Sequence, residues 1–242
     1  MKTKNVFYFL VLTAIIAWGL TSCSKKNDPE QTYGAFFDGL GDSAGRPTGT
    51  QFVMPAGLKV VGTIKGGIPY DESAFALDKR DPSTLSTFIA RTAANQSLFR
   101  ATYYQYQDYG FGVFVYIIID VENETGQDKT LVFPPGMVFI NEDGTAQNGF
   151  LVQEVRIPVP HNDMAHAAIH CMCLNVGRHA SSADNTYSLG PVSNNALLKQ
   201  ITDILKGKTL ASGSVWTVQN AVWSVTEDKE LTQETIDALK AL

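Results

Sequence analysis

The residue types with the most chemical potential lie in two stretches of the chain. Cys171 and Cys173 stand two apart, and Val218-Gln219-Asn220-Ala221-Val222-Trp223 follows, with Gln219 placed 219 − 173 = 46 residues after the second cysteine. A thiolate is a nucleophile and a glutamine side chain offers a carbonyl carbon, so the two can join as an internal thioester with loss of ammonia. An amide is a poor electrophile. Such a bond therefore needs a fold that holds the sulfur against the carbonyl and keeps water out. Val218, Val222 and Trp223 are the candidates for that shield. A plainer reading stays open beside it: Gln219 and Trp223 lie at i, i+4 on a helix, so Gln219 bonds a backbone group and Trp223 fills the core.

All four histidines, His161, His166, His170 and His179, fall within nineteen residues that also hold Cys171 and Cys173. Imidazole and thiolate suit zinc or copper, although the spacing matches no zinc-finger pattern. On a strand, His166, His170 and Met172 share one face while Ile169, Cys171 and Cys173 share the other, which splits the ligand set. A metal or hydrolytic site built on His166 and His170 is thus the alternative from a different functional class. A Cys171–Cys173 disulfide is disfavoured, because the two are too close in sequence for easy geometry. Among the acids, Asp120, Glu122 and Glu124 alternate onto one side but run into a turn, and Asp143, Glu154 and Asp163 are scattered. No nucleophile elbow, P-loop, dinucleotide fingerprint or zincin motif is present, so no enzymatic turnover and no cofactor are expected.

The segment Cys173-Leu174-Asn175, followed by an apolar-Gln-x-Ala-apolar-Trp helix, resembles the Cys and Gln motifs of bacterial thioester domains. Phe133-Pro134-Pro135-Gly136-Met137-Val138-Phe139 ahead of the Cys strand is also similar to a group of secreted bacterial proteins. The resemblance covers about residues 111–226. It implies that Cys173 and Gln219 are the thioester partners and that the protein binds or adheres to a partner at the cell surface, either a protein or a glycan.

The start of the chain implies an address. Met-Lys-Thr-Lys-Asn is basic, and the fifteen residues from Val6 to Leu20 are almost wholly apolar, too short to span a bilayer comfortably but suited to a secretory signal. Leu20-Thr21-Ser22-Cys23 resembles the bacterial lipobox, which implies cleavage before Cys23 and acylation of that residue. The mature chain then has 242 − 22 = 220 residues and a charge of 17 − 24 = −7, since Lys2 and Lys4 leave with the signal. Several acyl chains anchor stably where one alone would be marginal. The expected location is the cell envelope, at the outer membrane of a Gram-negative bacterium, and both the periplasmic and the outward-facing orientation fit. An acidic chain without a basic cluster is a poor partner for nucleic acid.

Three segments follow from these patterns: a signal peptide at 1–22, a polar, Gly-rich tether at 23–49, and one β-rich domain at 50–242. Residues 51–53 and 58–64 read as short strands, and Asp81-Pro82-Ser83 as the start of a helix to about Asn95. Aromatic and β-branched runs at 97–107 and 111–121 are separated at Asp108-Tyr109-Gly110. Val113–Ile119 is apolar throughout, as expected of a strand buried on both faces. Thr130–Phe133, Met137–Ile140 and Phe150–Val159 read as further strands between polar turns. Helical periodicity takes over at 194–206, 215–225 and from Thr232 onward. The expected fold is α+β, an antiparallel sandwich-like body followed by a small helical unit at about 194–242.

Overall fold

The computed structural model describes residues 38–43, 45–67, 105–228 and 230–242. The signal segment, Cys23 and the helix expected at 81–95 lie outside the described residues. Ten strands come first: β1 (Gly49–Gln51), β2 (Leu58–Gly66), β3 (Gln107–Gly110), β4 (Val115–Asn123), β5 (Lys129–Phe133), β6 (Met137–Asn141), β7 (Gly149–Phe150), β8 (Val155–Val159), β9 (Met164–Cys173) and β10 (Thr186–Ser193). Three helices finish the chain: α1 (Ala196–Leu205), α2 (Val215–Thr226) and α3 (Gln233–Lys240). The β-rich body with a C-terminal helical unit is therefore present.

The body is a barrel. Six strands pair antiparallel in the order β2-β4-β9-β7-β6-β10, and β10 returns to β2 and closes the ring. A sandwich leaves edge strands exposed on each sheet, whereas closure removes them. β1 extends from β10, β3 lies parallel to β9, and β5 with β8 forms a separate two-stranded sheet. Two local readings change. Asp108-Tyr109-Gly110 belongs to β3 rather than to a break. Phe150–Val159 divides into β7 and β8, with Leu151 to Glu154 between them.

Strand alternation sets what faces inward. Val115, Ile117, Ile119 and Val121 stand opposite Cys171, Ile169, Ala167 and Ala165. The other face of the same pair carries Tyr116, Ile118, Asp120 and Glu122 opposite His170, Ala168, His166 and Met164. Lys59 reaches Glu122 at 3.0 Å on that second face, where all the charges are, so the first face lines the interior. Ile117, Ile119, Phe139, Ile169 and Cys171 are fully or almost fully buried there. Truncating one such isoleucine to alanine costs about 2–5 kcal/mol.

Capping follows the sequence signals. Asn195 accepts from the backbone N–H groups of Leu197 and Leu198, both at 3.0 Å, and starts α1. Gly207, with φ +75°, follows its end. Thr232 caps α3 through the N–H of Thr235. α1 buries Leu197, Leu198, Ile201 and Leu205, and α2 buries Val215, Val218, Ala221, Val222 and Val225. α2 packs on β9, and α1 and α3 pack on α2.

Candidate functional site

β9 and β4 meet at the pair Cys171–Val115, where β4 begins. Main-chain groups on a strand point the same way at every second residue, so beyond that pair the N–H and C=O of Cys173 have no β4 residue to meet. α2 supplies the partner. The Cys173 N–H donates to Gln219 Oε1 at 2.9 Å, and Gln219 Nε2 donates to the Cys173 carbonyl at 3.0 Å. One carboxamide thus continues the ladder where a strand stops. Cys173 and Gln219 are both fully buried, and the two residues singled out in the sequence are in contact.

The surroundings are apolar. Val218 and Val222 are fully buried on the helix that carries Gln219, and Trp223 is 6% exposed. The Trp223 ring lies 5.7 Å from that of Phe114 and 6.1 Å from that of Trp216. Val218, Val222 and Trp223 thus lie on the face of α2 that packs against the body. By alternation both thiols point inward. Gly149, opposite Cys173, makes room for one of them: a Cβ there would sit 3.1 Å from Cys171 Sγ and 3.1 Å from Val115 Cγ1. Burial pushes the Cys171 thiol well above its usual range, which keeps it protonated and unreactive. Burial also raises the phenol of Tyr187, helped by Cys173 and Cys171 nearby, and its O–H donates to the Gln147 carbonyl at 3.1 Å.

A second polar network at this end was not singled out in the sequence. Asn175 N–H donates to Gln147 Oε1, Asn148 N–H donates to Asn175 Oδ1, and Asn175 Nδ2 donates to the carbonyls of Gly39 and Gly41 at 3.2 and 2.9 Å. Gly41 N–H in turn donates to the Leu174 carbonyl. Gly41 also packs against the end of α2, where a Cβ would lie 2.4 Å from the Thr226 carbonyl oxygen. The last part of the expected tether is therefore strapped across the junction of β9 and α2. Asn141, Gln147 and Asn148 sit among Gly, Asp and Thr, so their sequence context reads as a solvated turn. Their burial comes from the barrel closing over them.

The histidines separate as alternation requires. His166 Nδ1 lies 2.7 Å from Asp120 Oδ1, and Tyr106 donates to the other oxygen of that carboxylate at 3.3 Å. His170 Nε2 lies 3.0 Å from Asp108 Oδ1, with its ring 4.6 Å from that of Tyr116. His161 pairs with Asp128 at 2.8 Å, away from the other two. His166 and His170 share the outward face with Met172, but each is matched to its own aspartate. Among the described residues no three metal-ligating side chains converge. Glu122 and Glu124 converge on the one cation of Lys59.

Among the described residues no helix is long and apolar enough to cross a membrane. Comparison with protein-family models, with curated proteins and with solved structures finds no match to this chain.

Proposed function

We propose that the protein is a lipid-anchored module of the cell envelope that binds or adheres to a protein or glycan partner, tethered through Cys23 and attaching covalently through a thioester between Cys173 and Gln219. The observation that supports the covalent reading is the paired contact of the Gln219 carboxamide with the main chain of Cys173, both residues being fully buried. The carboxamide is held at the residue that carries the thiol, and bringing the sulfur onto its carbonyl carbon is the positioning that would offset a poor electrophile.

The step balances simply. The Cys173 sulfur adds to the Gln219 side-chain carbonyl, a C–S bond forms, the C–N bond breaks, and the thiol proton leaves with nitrogen as ammonia. An amine of the partner then adds to the thioester carbonyl, the C–S bond breaks, and an amide forms while Cys173 regains its proton. Water would do the same as the amine, and the apolar cover of Val218, Val222 and Trp223 keeps it away.

One observation favours a second reading, a non-covalent binding lipoprotein. Both polar atoms of Gln219 are satisfied by Cys173 main-chain groups, which is sufficient as a purely structural clamp. Intact mass on the soluble chain from residue 24 separates the two. The thioester gives a mass one ammonia below the sequence, raised by one methylamine after treatment with that amine. A full sequence mass with two free thiols assigns Gln219 to the clamp.

A further inference from the structure

A groove of about 590 Å³ opens between α1 and the barrel, where β7 and the segment after it meet the end of β10. Pro135, Phe150, Val152, Val192 and Leu198 line it, so its walls are largely apolar, and its volume falls in the range of small-molecule sites. Four charged side chains stand at its mouth: Glu154, Lys199, Asp203 and Lys206. Three of them are already matched. Glu154 meets Arg156 at 2.9 Å, and Asp203 meets Lys199 at 2.6 Å. Lys206 alone has no acidic partner among the described residues.

The turn that carries Lys206 is held in place. Gln153, itself lining the groove, donates both amide protons, to the Leu205 carbonyl and to the Lys208 carbonyl, each at 2.8 Å. These bonds fix the segment on either side of Lys206 and Gly207 against the barrel. The result is an apolar slot with one uncompensated cation fastened at its rim.

We infer that this groove binds an amphiphile with a single apolar chain and an anionic head, of the alkyl carboxylate class, with the chain along Val192 and Leu198 and the carboxylate at Lys206. The site is separate from the Cys173–Gln219 contact and does not depend on the covalent reading. A neutral or cationic head would leave the Lys206 charge unmatched, which is the basis of the selectivity.

The test is calorimetric titration of the soluble chain from residue 24, which retains the whole described body, with dodecanoate and with dodecyltrimethylammonium. The inference predicts saturable one-to-one binding of dodecanoate and none of the cation. Lys206→Glu should weaken dodecanoate at least tenfold, and Lys206→Arg should keep it. Val192→Phe, placed in the half-buried groove wall, should abolish binding while the thermal melt stays cooperative. Equal binding of the cation, full affinity in Lys206→Glu, or no saturable dodecanoate binding below millimolar concentration would each overturn the assignment.

Discussion

On the outward face of β9, His166 and His170 each pair with an aspartate and keep contact with water, their side chains 39% and 15% exposed. At the C-terminal end of the same strand, Cys173 meets Gln219 with no exposure at all. The two regions use similar hydrogen bonds for different ends. A polar pair that keeps contact with water gains little, because water solvates each partner almost as well when they part. A buried carboxamide also gains little net from each bond, about 1 kcal/mol, but removing it strands a donor and an acceptor where water cannot reach. The outward pairs are therefore replaceable, and the inward contact is not.

The sharpest way to break that comparison is Gln219→Ala. It removes both bonds to Cys173 and leaves a void at a fully buried position, so the loss should be about 3–5 kcal/mol by denaturant unfolding. A cost below about 1 kcal/mol would mean the joint is wet or the contact absent. Next comes Asn175→Ala, which frees the carbonyl of Gly41 and the N–H of Asn148 and leaves the Gly39 carbonyl only the longer bond, 3.4 Å, from Asn148 Nδ2. The expected cost is about 2–3 kcal/mol, together with faster proteolysis in the 38–43 segment. If the strap stays protected, Asn175 is not what fastens it.

The outward half should respond weakly. His166→Ala should cost no more than about 1 kcal/mol, read as a shift in the melting midpoint. A much larger loss would place the His166–Asp120 pair in the structural core of the strand.

The smallest expected effect is a pH dependence at the rim. The Ser188 hydroxyl, backed by Arg46, holds the Glu142 carboxyl below its usual range, and the Thr145 hydroxyl does the same for Asp143. A depressed folded value means that the stabilisation is complete above the unfolded carboxylate range, about pH 4, and is lost as pH falls through the folded values. Stability should therefore be level on this account from neutral to about pH 5 and decline below pH 4. Asp143→Asn should reduce the slope of that decline, and an unchanged slope would remove Asp143 from the explanation.

Much of the joint was legible in the sequence, for physical reasons. The apolar run Val113–Ile119 announced a strand buried on both faces, and the spacing of Val218, Val222 and Val225 announced the helix that brings Gln219 inward. Alternation alone placed His166 and His170 opposite Cys171 and Cys173. Closure of the barrel was not legible, because it depends on β10 pairing with both β6 and β2, and pairing partners leave no periodic mark on a single strand. The buried amides of Asn141, Gln147, Asn148 and Asn175 were hidden for a similar reason. Their types and neighbours are those of an exposed turn, and only long-range packing distinguishes the two.

The most direct test of the proposed Cys173–Gln219 bond is a peptide map of the soluble chain, digested with pepsin at acid pH without reductant or amine. The covalent account predicts a peptide containing Cys173 joined to one containing Gln219, with a combined mass one ammonia below their sum. Separate peptides, with a free Cys173 thiol and an intact Gln219 amide, would contradict it and leave the contact as a clamp.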